Sequence, residues 1–325
     1  MMIKSSELQN IFVCPISKKR IRKSGNKFIC DDSGLSYEIK SGVPIFMTGK
    51  DTDSLNQFWD LGWDRRYNSG DHQFHKEKSE EYRKFVEEKV LEAKQKNTPI
   101  VSAISSKEEI VLNIGCGLDE ASQLVLLGAK RYIGIDYSYV AAKASLESLK
   151  KLGNYGVTAQ ANAEFLPIKT ASVDLVYSSG VLHHTPNINQ AVEEIYRVLK
   201  HGGRAVIGLY NKNSPKFIMA RVIGTLRSIV SRKITSWYQQ TETAWQTDSS
   251  LGPYTSTHSK KELLKLFNDK RCSDIAIRVT GFQWGDVVPV LGKYFAKTSI
   301  GSSSADYLSS KFGSMWVITF TKNEK

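Results

Sequence analysis

The chain has 325 residues, 41% hydrophobic and 24% charged, an ordinary balance for a globular protein long enough for about two domains. No apolar run reaches the ~18 residues of a membrane span, no apolar signal core opens the chain, and the four cysteines are too irregularly spaced for a secreted disulfide framework, so a cytoplasmic setting is expected. The net charge of +12 suits an anionic partner (RNA, a membrane surface or an acidic metabolite) without choosing among them.

Residues 12–47 predict a small β-ribbon with turns at Ser24-Gly25-Asn26 and Ser41-Gly42. Cys14-Pro-Ile-Ser17 and Cys30-Asp-Asp-Ser33 have the spacing of two C-x-x-C pairs, but serine ends each pair and a hydroxyl is a poor zinc ligand beside thiolate. The stretch resembles short zinc-ribbon-like modules with half the thiolates lost, and no metal is expected in it. Residues 51–75 are rich in aromatics, and Phe58, Trp59, Trp63 and Tyr67 fall near one helical face. That helix is read either as packing onto the main domain or as a cap over a ligand, with Arg66 or Tyr67 reaching it. Residues 79–96 predict a charged helix with an apolar stripe of Tyr82, Phe85, Val86, Val90 and Leu91.

The chain is organised around 110–138. An aliphatic run through Ile114 leads into Gly115-Cys116-Gly117, a helical segment follows to Leu127, and a second aliphatic run ends in Asp136. This is a strand–turn–helix–strand unit of a parallel sheet, with a glycine turn where ligands bind and a carboxylate about 20 residues on that suits ribose hydroxyls. The third glycine of a dinucleotide site is missing, and Asp119 and Glu120 would repel pyrophosphate at the helix start. A ribose ligand with positive charge and no phosphate fits better, and S-adenosylmethionine is such a ligand.

After Asp136 the sequence predicts a helix (139–152), a short strand, the segment Asn162-Ala163-Glu164-Phe165-Leu166-Pro167, a strand through Val173–Gly180, and then His183-His184. A helix through Ala191–Leu199 is read as ending at a cap of His201-Gly202-Gly203, with a strand over Arg204–Tyr210. Alternating strands and helices require parallel pairing. In its order GCG…GIDYS…NAEFLP…DLVYSSGVLHH…EEIYRVLKHGG, the stretch 108–210 resembles the class I S-adenosylmethionine-dependent methyltransferases, nearest the ubiquinone/menaquinone-type branch. The resemblance implies an α/β fold: a Rossmann-like, doubly wound seven-stranded sheet with an antiparallel last strand, here with an N-terminal ribbon and lid insertions. It implies a cofactor site of Asn113, Gly115, Cys116, Gly117, Asp136, Tyr137, Asn162, Ala163, Glu164 and Ser179, and S-adenosyl-L-homocysteine as product. Asn113 and Asn162 stand where the family has carboxylates, but an amide keeps an acceptor oxygen.

Candidate proton acceptors are His183, His184 and His258, since histidine titrates near neutrality. Each also has a packing role open to it. Residues 211–258 break the alternation with a basic amphipathic helix that reads as a lid, or as a helix lying on an anionic membrane. Tyr67, Tyr210, Trp245 and Tyr254 are candidates to line an acceptor pocket, with Trp237 as a further aromatic of the lid. Ser259 and Glu262 read as a capping box, strands are expected at Asp274–Val279 and Met315–Thr321, and 280–313 is a second insertion. The expected layout is 1–50 ribbon, 51–100 helical linker or cap, and 101–325 methyltransferase domain. The leading function is methyl transfer to a small or carrier-linked metabolite; RNA methylation and a non-catalytic cofactor-binding scaffold are the alternatives.

Overall fold

The computed structural model describes residues 9–47, 53–68, 79–95, 98–104, 110–118, 120–153, 156–231, 254–267, 270–282, 284, 294 and 298–323. Four short strands, β1 (Arg22–Ser24), β2 (Lys27–Ile29), β3 (Ser36–Lys40) and β4 (Val43–Pro44), form an antiparallel N-terminal sheet in that order. Its turns fall at Gly25 and Gly42, both at positive φ as tight turns require. Helices α1 (Asp53–Asn68), α2 (Ser79–Gln95) and α3 (Pro99–Ala103) lead to the main sheet. In α2 the buried stripe is Tyr82, Val86, Val90 and Ala93. Leu91, expected in that stripe, is instead exposed: it lies about 100° round the helix from Val90.

The second half alternates: β5 (Ile110–Ile114), α4 (Glu120–Leu127), β6 (Arg131–Asp136), α5 (Tyr139–Lys151), β7 (Gly156–Gln160), β8 (Val173–Ser179), α6 (Ile188–Val198) and β9 (Leu199–Tyr210). Then come α7 (Pro215–Ser231), α8 (Lys260–Phe267), β10 (Cys272–Thr280), α9 (Ser299–Phe312) and β11 (Met315–Lys322). The sheet has seven strands in the order β10-β11-β9-β8-β5-β6-β7. Strands β5 to β9 pair in parallel, and β11 runs antiparallel to both β9 and β10. The fold is therefore the α/β doubly wound sheet with an antiparallel last strand.

Strand periodicity sends alternate residues to opposite faces. Leu112, Ile114, Ile133 and Ile135 enter one core with Ile195 of α6, while Val111, Tyr132, Leu175 and Val206 enter the other with Leu124 of α4 and Ile100 of α3. The N-terminal sheet joins the first core through Phe12, Phe28, Tyr37 and Phe46. It also lengthens the main sheet, because Ile45 bridges Gln160 in parallel and the Phe46 amide donates to the Gln160 carbonyl at 2.8 Å.

One local expectation is corrected. Helix α6 ends at Val198, not at a glycine cap, and the chain enters β9 directly at Leu199. His201-Gly202-Gly203 instead forms a bulge between the pairs Val173↔Leu199 and Leu175↔Arg204, with Gly202 at φ +72°. Sheet pairing has outweighed the local cap signal. Among the described residues, no helix is long and apolar enough to cross a membrane.

Candidate active site

The strand order turns between β5 and β8, so the crevice lies at the carboxyl ends of β5, β6 and β8. At the end of β5, Gly115 and Gly117 take φ of +77° and +51°. The Gly115 and Cys116 amides both donate to the Ile135 carbonyl, at 2.7 and 3.2 Å, which locks the bend to the end of β6. A Cβ on Gly115 would lie 2.0 Å from Val181 Cγ2, so only glycine serves there.

Asp136 is the hub of the site. Its Oδ2 accepts from the Gly117 amide at 3.1 Å and its Oδ1 from the Ser138 amide at 2.9 Å. Burial pushes its carboxyl up to about 6 and Asp60 adds to this, while the amide bonds oppose it. Two backbone donors thus aim the carboxylate from below, and each oxygen keeps capacity to accept a hydroxyl. The adjoining Ser138 caps α5 by accepting from the Ala141 amide at 3.2 Å.

The remaining predicted cofactor residues divide by location. Asn113 is fully buried; its Nδ2 donates to Tyr132 Oη at 3.1 Å and its Oδ1 has no partner among the described residues. The Cys116 thiol is buried and raised by burial, and its Sγ lies 3.1 Å from where a Cβ on Gly134 would stand. Tyr137 offers its carbonyl to Gln160 Nε2 at 2.9 Å. Asn162 Oδ1 caps the short helical turn Ala163–Phe165 by accepting from the Glu164 amide at 2.9 Å, and Glu164 in turn accepts from the Asn187 amide at 2.9 Å. Ser179 ends β8, its Oγ 2.9 Å from where a Cβ on Gly208 would stand.

Helix α1 lies across this crevice. Trp63 comes within 3.3 Å of where a Cβ on Gly117 would stand. Asp60 accepts from Ser138 Oγ and from the Val140 amide, and Asn56 accepts from Gln160 Nε2 at 3.0 Å. The Trp59 ring centroid is 5.0 Å from that of His184. Tyr67, a candidate for the acceptor pocket, donates its hydroxyl to Glu147 on α5 at 2.8 Å. The Arg66 side chain, Trp237 and Trp245 lie outside the described residues. Sequence reasoning named Trp63 on the aromatic face of this helix but missed Asp60 and Asn56 as contacts of the site. Their partners are 78 and 104 residues away in the chain, and no local spacing announces them.

The histidines do converge. His183 is fully buried and stacks on Tyr210, centroids 3.5 Å apart at 25°, with no partner for either ring nitrogen among the described residues. Burial holds it neutral, far below the usual histidine range. His184 is pushed down to about 4, chiefly by burial. Its Nδ1 sits 3.2 Å from the Tyr254 carbonyl and 3.0 Å from Thr255 Oγ1. A carbonyl only accepts, so Nδ1 carries the proton and Nε2 the lone pair. His258 Nε2 contacts Ser256 Oγ at 3.0 Å, and Ser256 donates its amide to the His183 carbonyl at 2.7 Å. The segment 254–258 therefore closes over the histidine pair, with Tyr254 itself half exposed.

Residues 112–207 match a family model described as a methyltransferase domain. A ubiquinone biosynthesis O-methyltransferase of Pseudomonas putida is 30% identical over 116 residues, 34% of this chain and 49% of that protein. A UPF0434 protein of Vesicomyosocius okutanii is 45% identical over 40 residues, 12% of this chain and 68% of that protein. Among solved structures, a SAM-dependent methyltransferase of Thermotoga maritima aligns over 83% of this chain and all of its own, with TM-score 0.48 and 16% identity. The chain spans about half the length of the curated methyltransferase it matches.

Proposed function

From a methyltransferase domain at residues 112–207, we propose that the protein moves a methyl group from S-adenosylmethionine to a small or carrier-linked acceptor. The observation that carries this reading is Asp136, aimed by the Gly117 and Ser138 amides beside the Gly115–Gly117 bend. A carboxylate so held suits the two hydroxyls of a ribose, and the glycine bend beside it is assigned to the ligand's amino-acid end. Asn162, Ala163 and Glu164 follow the next strand and are assigned to the adenine side; Ser179 is assigned to the acceptor side. When bound, S-adenosylmethionine supplies a methyl on a positively charged sulfur, already activated for displacement.

The protein's own work is positioning and exclusion of water. Trp59, Trp63 and Tyr210 are assigned to the closed side, and α1 is assigned as the cap expected at 51–100. His184 is the better candidate base, with Nδ1 committed to the Tyr254 carbonyl and Nε2 bearing a lone pair. His183, stacked under Tyr210, is assigned a packing role, as is His258 through Ser256. The four-stranded N-terminal sheet (Arg22–Pro44) and the turn at Cys14 before it are read as a ribbon without its metal, since Cys14 meets Ser33 and Cys30 meets Ser17 at 3.5 Å each.

Calorimetry with S-adenosylhomocysteine tests the site, and incubation of cell-extract fractions with labelled S-adenosylmethionine, followed by mass spectrometry of the labelled product, tests the acceptor class. No binding by the intact protein overturns the enzyme reading in favour of a scaffold. Label found in RNA overturns the metabolite reading. His184→Asn is expected to slow turnover while leaving S-adenosylhomocysteine binding in place; near-normal rates would remove His184 as the base.

A further inference from the structure

Helix α7 presents two opposite faces. Phe217 and Gly224 are buried, and the Phe217 ring packs 4.6 Å from that of Tyr210. Opposite them Ile218, Met219, Val222, Ile223, Leu226 and Ile229 are all exposed, Leu226 by 56% and Ile229 by 69%. At about 100° per residue these six occupy an arc of about 140°, whose centre lies about 180° from Phe217 and Gly224. An exposed apolar band this continuous marks an interaction surface.

Charge selects the occupant. Lys216 stands about 20° beyond one edge of the band and Arg221 about 60° beyond the other. The sequence adds Arg227, Arg232 and Lys233, and no Asp or Glu lies between Glu194 and Glu242. A second copy would bring the same positive charge against this one, in a chain already at +12. Just after α7 the chain continues with Arg232 and Lys233, which extend the same basic border, and the next acids are Glu242 and Asp248. A broad apolar face bordered by cations alone is matched by an anionic lipid surface, where side chains enter the acyl boundary and cations meet headgroups.

We propose that α7 docks the protein on anionic bilayers, lying in the interface plane with Ile218, Val222, Leu226 and Ile229 in the lipid. This surface stands apart from the methyl-transfer reading and survives if that reading fails. The test is co-sedimentation of the full chain with vesicles of equal parts phosphatidylcholine and phosphatidylglycerol, and with phosphatidylcholine alone. Binding to the mixed vesicles is expected, at least about ten-fold weaker to phosphatidylcholine and weakening as salt is raised. The variant Leu226→Asp/Ile229→Asp, altered only at exposed positions, is expected to lose at least about ten-fold in partitioning while keeping its melting temperature. Lys216→Glu gives a smaller loss and a shallower salt dependence.

The proposal is overturned if the wild-type chain ignores both vesicles, or if Leu226→Asp/Ile229→Asp binds as well as wild type. It is also overturned if light scattering reveals a dimer that this variant disperses, which would assign the band to a second copy. Vesicle binding that appears only when residues 236–252 are deleted would assign the band to the chain's own segment and overturn it equally.

Discussion

Removing the Glu194 carboxylate is expected to weaken both the fold and the proposed cofactor site. Glu194 is 3% exposed and accepts from Lys18 Nζ at 2.6 Å, Arg197 Nε at 2.7 Å and Arg197 Nη2 at 2.9 Å. The two cations also donate to the Leu166 carbonyl, and Arg197 to that of Ile168 at 2.6 Å. One carboxylate thus joins the N-terminal unit, α6 and the loop that follows Asn162. Breaking a buried pair costs about 3–5 kcal/mol because an unpaired charge is left behind. Here the cations are 27% and 19% exposed, so water screens them and Glu194→Gln is expected to cost about 2–3 kcal/mol. For a chain this long that is a fall in Tm of about 3–4 °C. Burial lowers the Lys18 pKa from its ordinary 10.5, and Glu194 pulls it back up. Without Glu194 the folded state binds that proton still less tightly than the unfolded one, so the variant's stability should rise with pH below 10.5. Urea melts at several pH values, with S-adenosylhomocysteine titrations alongside, measure both effects. The control is Asp31→Asn, whose pair with Arg22 is 70% and 56% exposed and should matter little. If Glu194→Gln loses no more than this control, and binds product as wild type does, the network does not position the loop.

Three further outcomes follow from the geometry. Asp136→Asn should weaken S-adenosylhomocysteine binding about ten-fold or more by calorimetry, since it removes a charged acceptor; an unchanged affinity would unseat Asp136. Because the Asp136 carboxyl is raised to about 6, product affinity should fall as pH drops below that value. The stability contribution runs the other way: the folded state binds more protons than the unfolded between 3.8 and about 6, so stability falls as pH rises through that window. Finally, Ser17→Cys/Ser33→Cys should take up stoichiometric zinc, because the four side chains already meet in pairs at 3.5 Å; a folded double variant that takes up none would refute the convergence.

What the sequence disclosed, it disclosed through short-range physics. The aliphatic runs of 110–114 and 131–135 mark buried parallel strands whatever surrounds them, and Gly115, Gly117 and Asp136 are fixed by the turn between such strands. The Ser259–Glu262 box formed as written, with both reciprocal bonds present. The misreading at Gly202 has the opposite cause. Its cap signal was local, but β9 starts three residues earlier because pairing with β8 satisfies more backbone than a cap does.

The polar contacts of the capping helix were illegible for a related reason. Asp60 and Asn56 act on Ser138 and Gln160 across sequence gaps that no periodicity spans. Glu194 read as one charge among several on an amphipathic helix, and only the fold reveals that Lys18 arrives to bury it. These contacts have a common direction: they tie residues before 70 to the ends of β6 and β7 and to the loop beyond. The described residues before 70 are therefore part of the candidate site's architecture, and deleting them should cost product binding as well as stability, because the edge of β7 would lose its partner and the Leu166 carbonyl would keep only Arg197.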